Sequence, residues 1–171
     1  MASDLTDYCS YDEVRAILGV SNEELDDAVL GVPLYFYALK RELQSVAPPL
    51  PTLFDSVTQK QEDARTPEEA NLYEATCIFS AYAVAKKVGM ALGMFGVRSV
   101  TDSKAGFARF ADSPYKDTLE RLDGEKNQAK RALLAAIKAL DPDASAQAGA
   151  PLAGLVVVKR FVDPVTGSSG V

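Results

Sequence analysis

The residues that could do chemistry are few, and their spacing does not assemble a reaction centre. The chain has no histidine, which removes the commonest general base and the commonest metal ligand. Its two cysteines, Cys9 and Cys77, form no CxxC pair and cannot build a zinc site alone. A disulfide between them is formally possible, but Cys77 sits in an apolar helical pattern and reads as a core thiol. Carboxylates occur as the adjacent pairs Glu23-Glu24, Asp26-Asp27 and Glu68-Glu69. Paired carboxylates can do acid–base work, yet each of these falls at a helix start, where it offsets the positive end of the helix dipole. Ser103 stands beside Lys104, but Asp102-Ser103-Lys104 has no surrounding nucleophile motif and reads as a turn. Gly89, Gly93 and Gly96 lack the GxxxxGK[ST] frame of a phosphate loop. No catalytic residue, metal ligand or cofactor is expected, and the chain is expected not to be an enzyme.

The bulk properties bound the remaining classes. A length of 171 residues suits one domain, which at that size buries roughly 68–70% of its unfolded surface and needs no metal or disulfide staple. The net charge of −6 is uneven: residues 1–75 hold 15 acidic and 5 basic side chains, residues 76–171 hold 9 and 13. General nucleic-acid binding needs a basic footprint that this pattern lacks. The asymmetry suits head-to-tail packing of identical copies, acidic face to basic face; two solvated faces without a partner account for it equally. Met1 to Asp7 is acidic and lacks an apolar core segment, so no secretory signal is expected and the chain is expected to fold in the cytoplasm. The most apolar stretch, Ala75 to Val97, is interrupted by Lys86 and Lys87, which argues against a membrane span.

Helix signals dominate the order of elements. Ser10 with Glu13 is a capping box, with Tyr11 to Leu18 as a short helix, Val14, Ile17 and Leu18 inward and Gly19 as its stop. Ser21 with Glu24 repeats the signal for a second short turn. A longer helix is expected from Asp26 or Asp27 to about Val46, and Pro33 either restarts it or bends it. The prolines of Ala47 to Leu53 predict an extended crossover, followed by a short helix and loop from Phe54 to Arg65. Thr66-Pro67-Glu68-Glu69 is the clearest start signal in the chain. That helix runs to about Met94, and ~28 residues span ~42 Å. Leu72, Ala75, Phe79, Tyr82, Ala83, Lys86 and Met90 recur at three- and four-residue spacings, and Ala75, Ala81, Ala83, Ala85, Gly89 and Gly93 are small enough for close packing. Gly96 to Asp112 reads as a connector. Ser113-Pro114 opens a last helix with a stripe of Tyr115, Leu119, Leu122, Lys126, Ala129, Leu133, Ile137 and Leu140, interrupted by Gly124 at a cost of about 1 kcal/mol.

The end of the chain differs in character. The domain reading is a helical domain over 1–140, a linker over 141–151 and an extended docking tail over 152–171. Leu155, Val156, Val157 and Val158 with Phe161 and Val162 are β-prone, and Lys159 and Arg160 add a polar rim. A lone apolar strand has no sheet to join in a helical domain. It can pair within the chain, stay disordered, or add to a strand of another chain; the flexible linker favours the last. The fold class read from these features is all-α, a bundle of about four to five helices with an extended C-terminal β-prone tail.

The opening pattern, Tyr8-Cys9-Ser10-Tyr11-Asp12-Glu13-Val14-Arg15 followed by Leu18-Gly19-Val20-Ser21 and Glu24-Leu25, resembles the start of the head-to-tail adaptor (connector) proteins of tailed bacteriophages. Asp102-Ser103-Lys104 with Phe107, Arg109 and Phe110 resembles an aspartate–lysine and aromatic–arginine–aromatic segment of that group. The resemblance extends, in order, over most of residues 8–140. It implies a mainly helical virion protein at the neck between head and tail. Such a protein forms a ring of about twelve copies beneath the portal, extends the DNA exit channel and meets the next tail or nozzle protein. Genomic DNA would pass without sequence-specific binding, and negative walls would keep it from sticking, which the acidic N-terminal half suits. In such adaptors a terminal extension often reaches onto the portal, and residues 152–171 are the candidate here. The Pro-rich stretch Ala47 to Thr52 and the end Asp163 to Val171 have no counterpart in the pattern. The other class consistent with the residues is a helical scaffold or regulatory protein that binds a partner through its C-terminal strand.

Overall fold

The computed structural model describes residues 4–95, 100–102, 105–107 and 113–141, with backbone alone at 92–95, 100–102, 105–107 and 113–115. A 3-10 turn at Leu5–Asp7 leads into α1 (Tyr11–Leu18), α2 (Asp27–Leu30), α3 (Pro33–Val46) and α4 (Leu50–Thr58). A second 3-10 turn at Glu62–Ala64 precedes α5 (Pro67–Phe95), the strands β1 (Val100–Asp102) and β2 (Ala105–Phe107), and α6 (Ser113–Leu140). The architecture is mostly helical, as the all-α class requires, with six helices among the described residues.

Local chemistry sets the boundaries. At α1 the Ser10 hydroxyl accepts the Glu13 N–H at 3.2 Å while the Ser10 N–H donates to the Glu13 carboxylate at 2.7 Å. Gly19 then ends the helix at φ 69°, a left-handed conformation that costs glycine nothing. At α5 Thr66 and Glu69 make the same reciprocal pair, 3.3 and 3.1 Å. Asp26 caps α2 by accepting the Ala28 N–H at 2.8 Å. Glu23 and Glu24 open no helix; Glu24 instead closes a turn by accepting the Ser21 N–H at 2.8 Å.

The prolines divide what the apolar pattern joined. Pro33 occupies the first turn of α3, so the helix restarts there rather than bending. The segment expected as an extended crossover begins α4 instead, with Pro49 as its N-cap and Pro51 in its first turn. First-turn N–H groups lack helical partners, so a proline there forfeits no hydrogen bond. Leu50, Phe54 and Val57 then bury one face of α4. The restart at Pro33 splits one expected helix into α2 and α3, and the early start of α4 lengthens the short helix expected from Phe54.

α5 is the spine. Its apolar arc is wide: Leu72, Phe79, Val84, Ala85 and Val88 are all buried, and α1, α3, α4 and α6 all pack against it. α6 runs antiparallel to it, tied by the Lys86–Asp123 ion pair and burying Leu122, Ala129, Leu133, Ala136 and Ile137. Each fully buried leucine there contributes about 1.5–3 kcal/mol. Gly89 faces this contact: a Cβ at that position would lie at ordinary packing distance, 3.4 Å from Leu18 and 3.7 Å from Leu119. Gly124 faces open space, and α6 continues through it.

Between α5 and α6, where the sequence suggests only a connector, β1 and β2 pair antiparallel with Val100 opposite Phe107 and Asp102 opposite Ala105. Three residues per strand are too few to carry a recognisable alternation. The linker after Asp141 and the tail over 152–171 lie outside the described residues.

Candidate functional site

The structure brings together a set of residues that the sequence scatters. Thr6 to Ser10 and Glu13 from the N-terminal turn, Glu62 and Arg65 from the second 3-10 turn and its end, and Tyr73, Glu74, Cys77 and Ile78 from α5 line one groove of about 760 Å³. That size is within the range of ligand and peptide sites.

A stack of flat groups builds one wall. Tyr8 lies on Phe54 at 4.8 Å between ring centres, Phe54 on Tyr73 at 5.4 Å, and the Arg65 guanidinium over Tyr73 at 4.3 Å. Arg65 is held there by donating from Nε to the Val57 carbonyl at 3.2 Å and from Nη2 to the Lys60 carbonyl at 3.3 Å. The cation thus faces an aromatic ring while its edges are satisfied by backbone. Around it the groove is acidic, with Glu13, Glu62 and Glu74 on its lining.

Cys9 and Cys77 both open onto this groove and both are free thiols. Cys77 is half-buried, not the core thiol its surroundings in sequence suggest. Burial, then the Glu13 carboxylate, pushes the Cys9 thiol up to about 12. Burial likewise raises Cys77 to about 11, against a hydrogen bond with Tyr73 that lowers it. Both remain protonated near neutral pH, and the thiolate is the nucleophile, so neither thiol is primed for attack. Tyr73 is itself raised by Cys77 and by burial.

A second surface lies on the α2–α3 corner. Leu34 and Tyr37 are 68% and 61% exposed, and Val29 and Val32 are also exposed. Leu34 and Tyr37 are three residues apart and share a helix face.

Arg15 joins the two halves of the opening pattern. Its Nε donates to the Leu25 carbonyl at 2.9 Å and its Nη1 to Asp12 at 2.7 Å, while Nη2 pairs with Asp27. Arg15 is 6% exposed, and Tyr8, Cys9, Val14 and Leu25 beside it in the pattern are buried.

Of the other sequence-derived candidates, Asp102 lies in β1 and Phe107 in β2. Lys104, Arg109 and Phe110, and the tail residues Leu155, Val156, Val157, Val158, Phe161 and Val162, lie outside the described residues. The sequence reading missed the groove because its walls come from three separate stretches. It missed Arg15 as well, although an arginine one position from Val14, with Asp12 three residues before it, is a legible sign of a paired inward charge. No group of His, Cys, Asp or Glu among the described residues could hold a metal ion, and none of their helices is long and apolar enough to cross a membrane. No protein-family model, curated protein or solved structure matches the chain.

Proposed function

We propose that this chain is a structural protein of a tailed-bacteriophage virion, the head-to-tail adaptor that forms a ring under the portal, extends the DNA channel and receives the next tail component. The observation that carries the reading is the nature of the resembling opening segment. Tyr8, Val14 and Leu25 belong to the hydrophobic core, Arg15 is buried, and Arg15 ties α1 to the turn before α2 through the Leu25 carbonyl. The residues of the adaptor-like pattern are therefore those that specify a shape.

The exposed α2–α3 corner supports the same reading. Apolar side chains on one exposed corner suit a contact between subunits. Closed rings use heterologous contacts, one face of each copy on a different face of the next, and the uneven charge along the chain would suit such a pairing.

Native mass spectrometry of the chain mixed with the portal protein of the same phage tests this. A complex containing a closed set of copies on each portal ring is expected, and Leu34→Asp with Tyr37→Asp should abolish it without loss of helical circular dichroism. A monomer that ignores the portal at micromolar concentration would overturn the adaptor reading and favour a scaffold that binds another partner.

A further inference from the structure

We propose that the acidic groove between the N-terminal turn and the first turns of α5 is a binding site for this chain's own segment Leu155–Val162. The inference stands on the groove and on the sequence of that segment, and it holds whether or not the chain sits beneath a portal.

The chain leaves the helical body near the groove. The Lys86–Asp123 pair and the approach of Leu119 and Leu122 to Gly89 fix the antiparallel register of α5 and α6. Both helices rise about 1.5 Å per residue. That register brings the end of α6, at Leu140, level with the first turns of α5. Tyr73, Glu74 and Cys77 of the groove lie on those turns.

The intervening residues are long enough to reach it. At about 100° per residue, Tyr73 and Cys77 sit roughly half a turn round α5 from the side that Lys86 and Gly89 give to α6. A helix with its side chains is about 10–12 Å across, so the path round it is on the order of 20 Å. The 13 residues 142–154, at up to about 3.3 Å each, span roughly twice that.

The segment also fits the groove chemically. Glu13, Glu62 and Glu74 make the rim acidic, while Tyr73 and Ile78 make part of the lining apolar. The segment Leu-Val-Val-Val-Lys-Arg-Phe-Val carries two adjacent cations within apolar flanks. Lys159 and Arg160 match the carboxylates, and the aliphatic and aromatic side chains match the lining. A tethered segment also binds at a high effective concentration, so a modest intrinsic affinity fills the site.

Cys77 provides a native reporter, because it lines the groove and is free. The experiment measures its alkylation by iodoacetamide at fixed pH, resolved from Cys9 by peptide mass. Three forms are compared: the full chain, the chain lacking residues 152–171, and the full chain carrying Lys159→Glu with Arg160→Glu. Both altered forms should be alkylated about tenfold faster, as expected if the segment occupies its site nine-tenths of the time. The full chain's rate should not depend on its concentration. Equal rates in all three forms would overturn the proposal. Protection that appears only at high concentration would also overturn it, because it would assign the groove to the tail of a second copy. Should the shortened chain lose helical circular dichroism, the charge-reversed full-length form decides.

Discussion

Replacing Arg15 by alanine removes the side chain that closes the N-terminal unit, and its cost follows from the contacts. The Nε hydrogen bond to the Leu25 carbonyl is buried and charge-assisted, at 2.9 Å. Such a bond contributes about 1.5–3 kcal/mol net, and the abandoned carbonyl adds a desolvation penalty. The buried aliphatic stem adds lost packing. The two ion pairs add little, because Asp12 is 93% and Asp27 61% exposed and exposed pairs contribute about 0–1 kcal/mol. The expected loss is about 2–4 kcal/mol, a large share of the 5–15 kcal/mol typical of a domain. Urea unfolding followed by circular dichroism reads it as a lower midpoint at unchanged slope. Arg15→Lys should fall between, since an ammonium keeps the charge but not the planar fork. Asp12→Asn should cost less than about 1 kcal/mol. The gap between wild type and Arg15→Ala should survive 0.5 M salt, which screens exposed pairs and leaves the buried bond. A loss below about 1 kcal/mol for Arg15→Ala, or an Asp12→Asn cost equal to it, would refute the reasoning.

Three further outcomes follow from the same contacts. Glu42 of α3 is 18% exposed and pairs with Lys126 of α6 and, at 3.6 Å, with Lys87 of α5; Glu42→Gln leaves the two ammonium groups facing each other and should cost about 1–3 kcal/mol by urea midpoint, whereas an unchanged midpoint would remove the clasp from the account. The Ser80 hydroxyl is buried without a hydrogen-bond partner, so Ser80→Ala should raise stability by about 0.5–1 kcal/mol, and a loss would show that a partner exists. Burial first of all pushes Tyr8 and Cys9 up to about 12, from 10.0 and 9.0, and Cys77 up to about 11. The unfolded chain therefore releases these protons before the native one does. Stability should be whole below about pH 8 and fall as pH climbs towards 12; Cys9→Ala should flatten the decline between about pH 8 and pH 10.5 in thermal unfolding, and stability rising over that window would contradict the assignment.

What the sequence made legible was mostly local. Ser10 with Glu13 and Thr66 with Glu69 cap their helices because the capping pair lies within one turn and needs nothing distant. The stripe of α6 was legible for the same reason: a period of 3.6 writes its buried face into the order of residues. Proline misled where its position within the helix mattered. Pro51 reads as a breaker, yet it stands in a first turn where its missing N–H is harmless. Cys77 misled because the apolar arc of α5 is so wide that every position on it resembles core. The groove was not legible at all, since Tyr8, Arg65 and Tyr73 converge only once α4 and α5 have packed. Arg15 was half-legible: its local partner Asp12 is three residues away, while Leu25 and Asp27 are brought to it by the fold.

The proposal that the surfaces of this chain serve assembly beneath a portal is tested most directly by electron microscopy of the chain mixed with a candidate tailed-phage portal protein. The account predicts class averages in which a closed ring of added density lies coaxial with the portal and continues its channel. Portal rings left bare on both faces at saturating concentrations of the chain would contradict it.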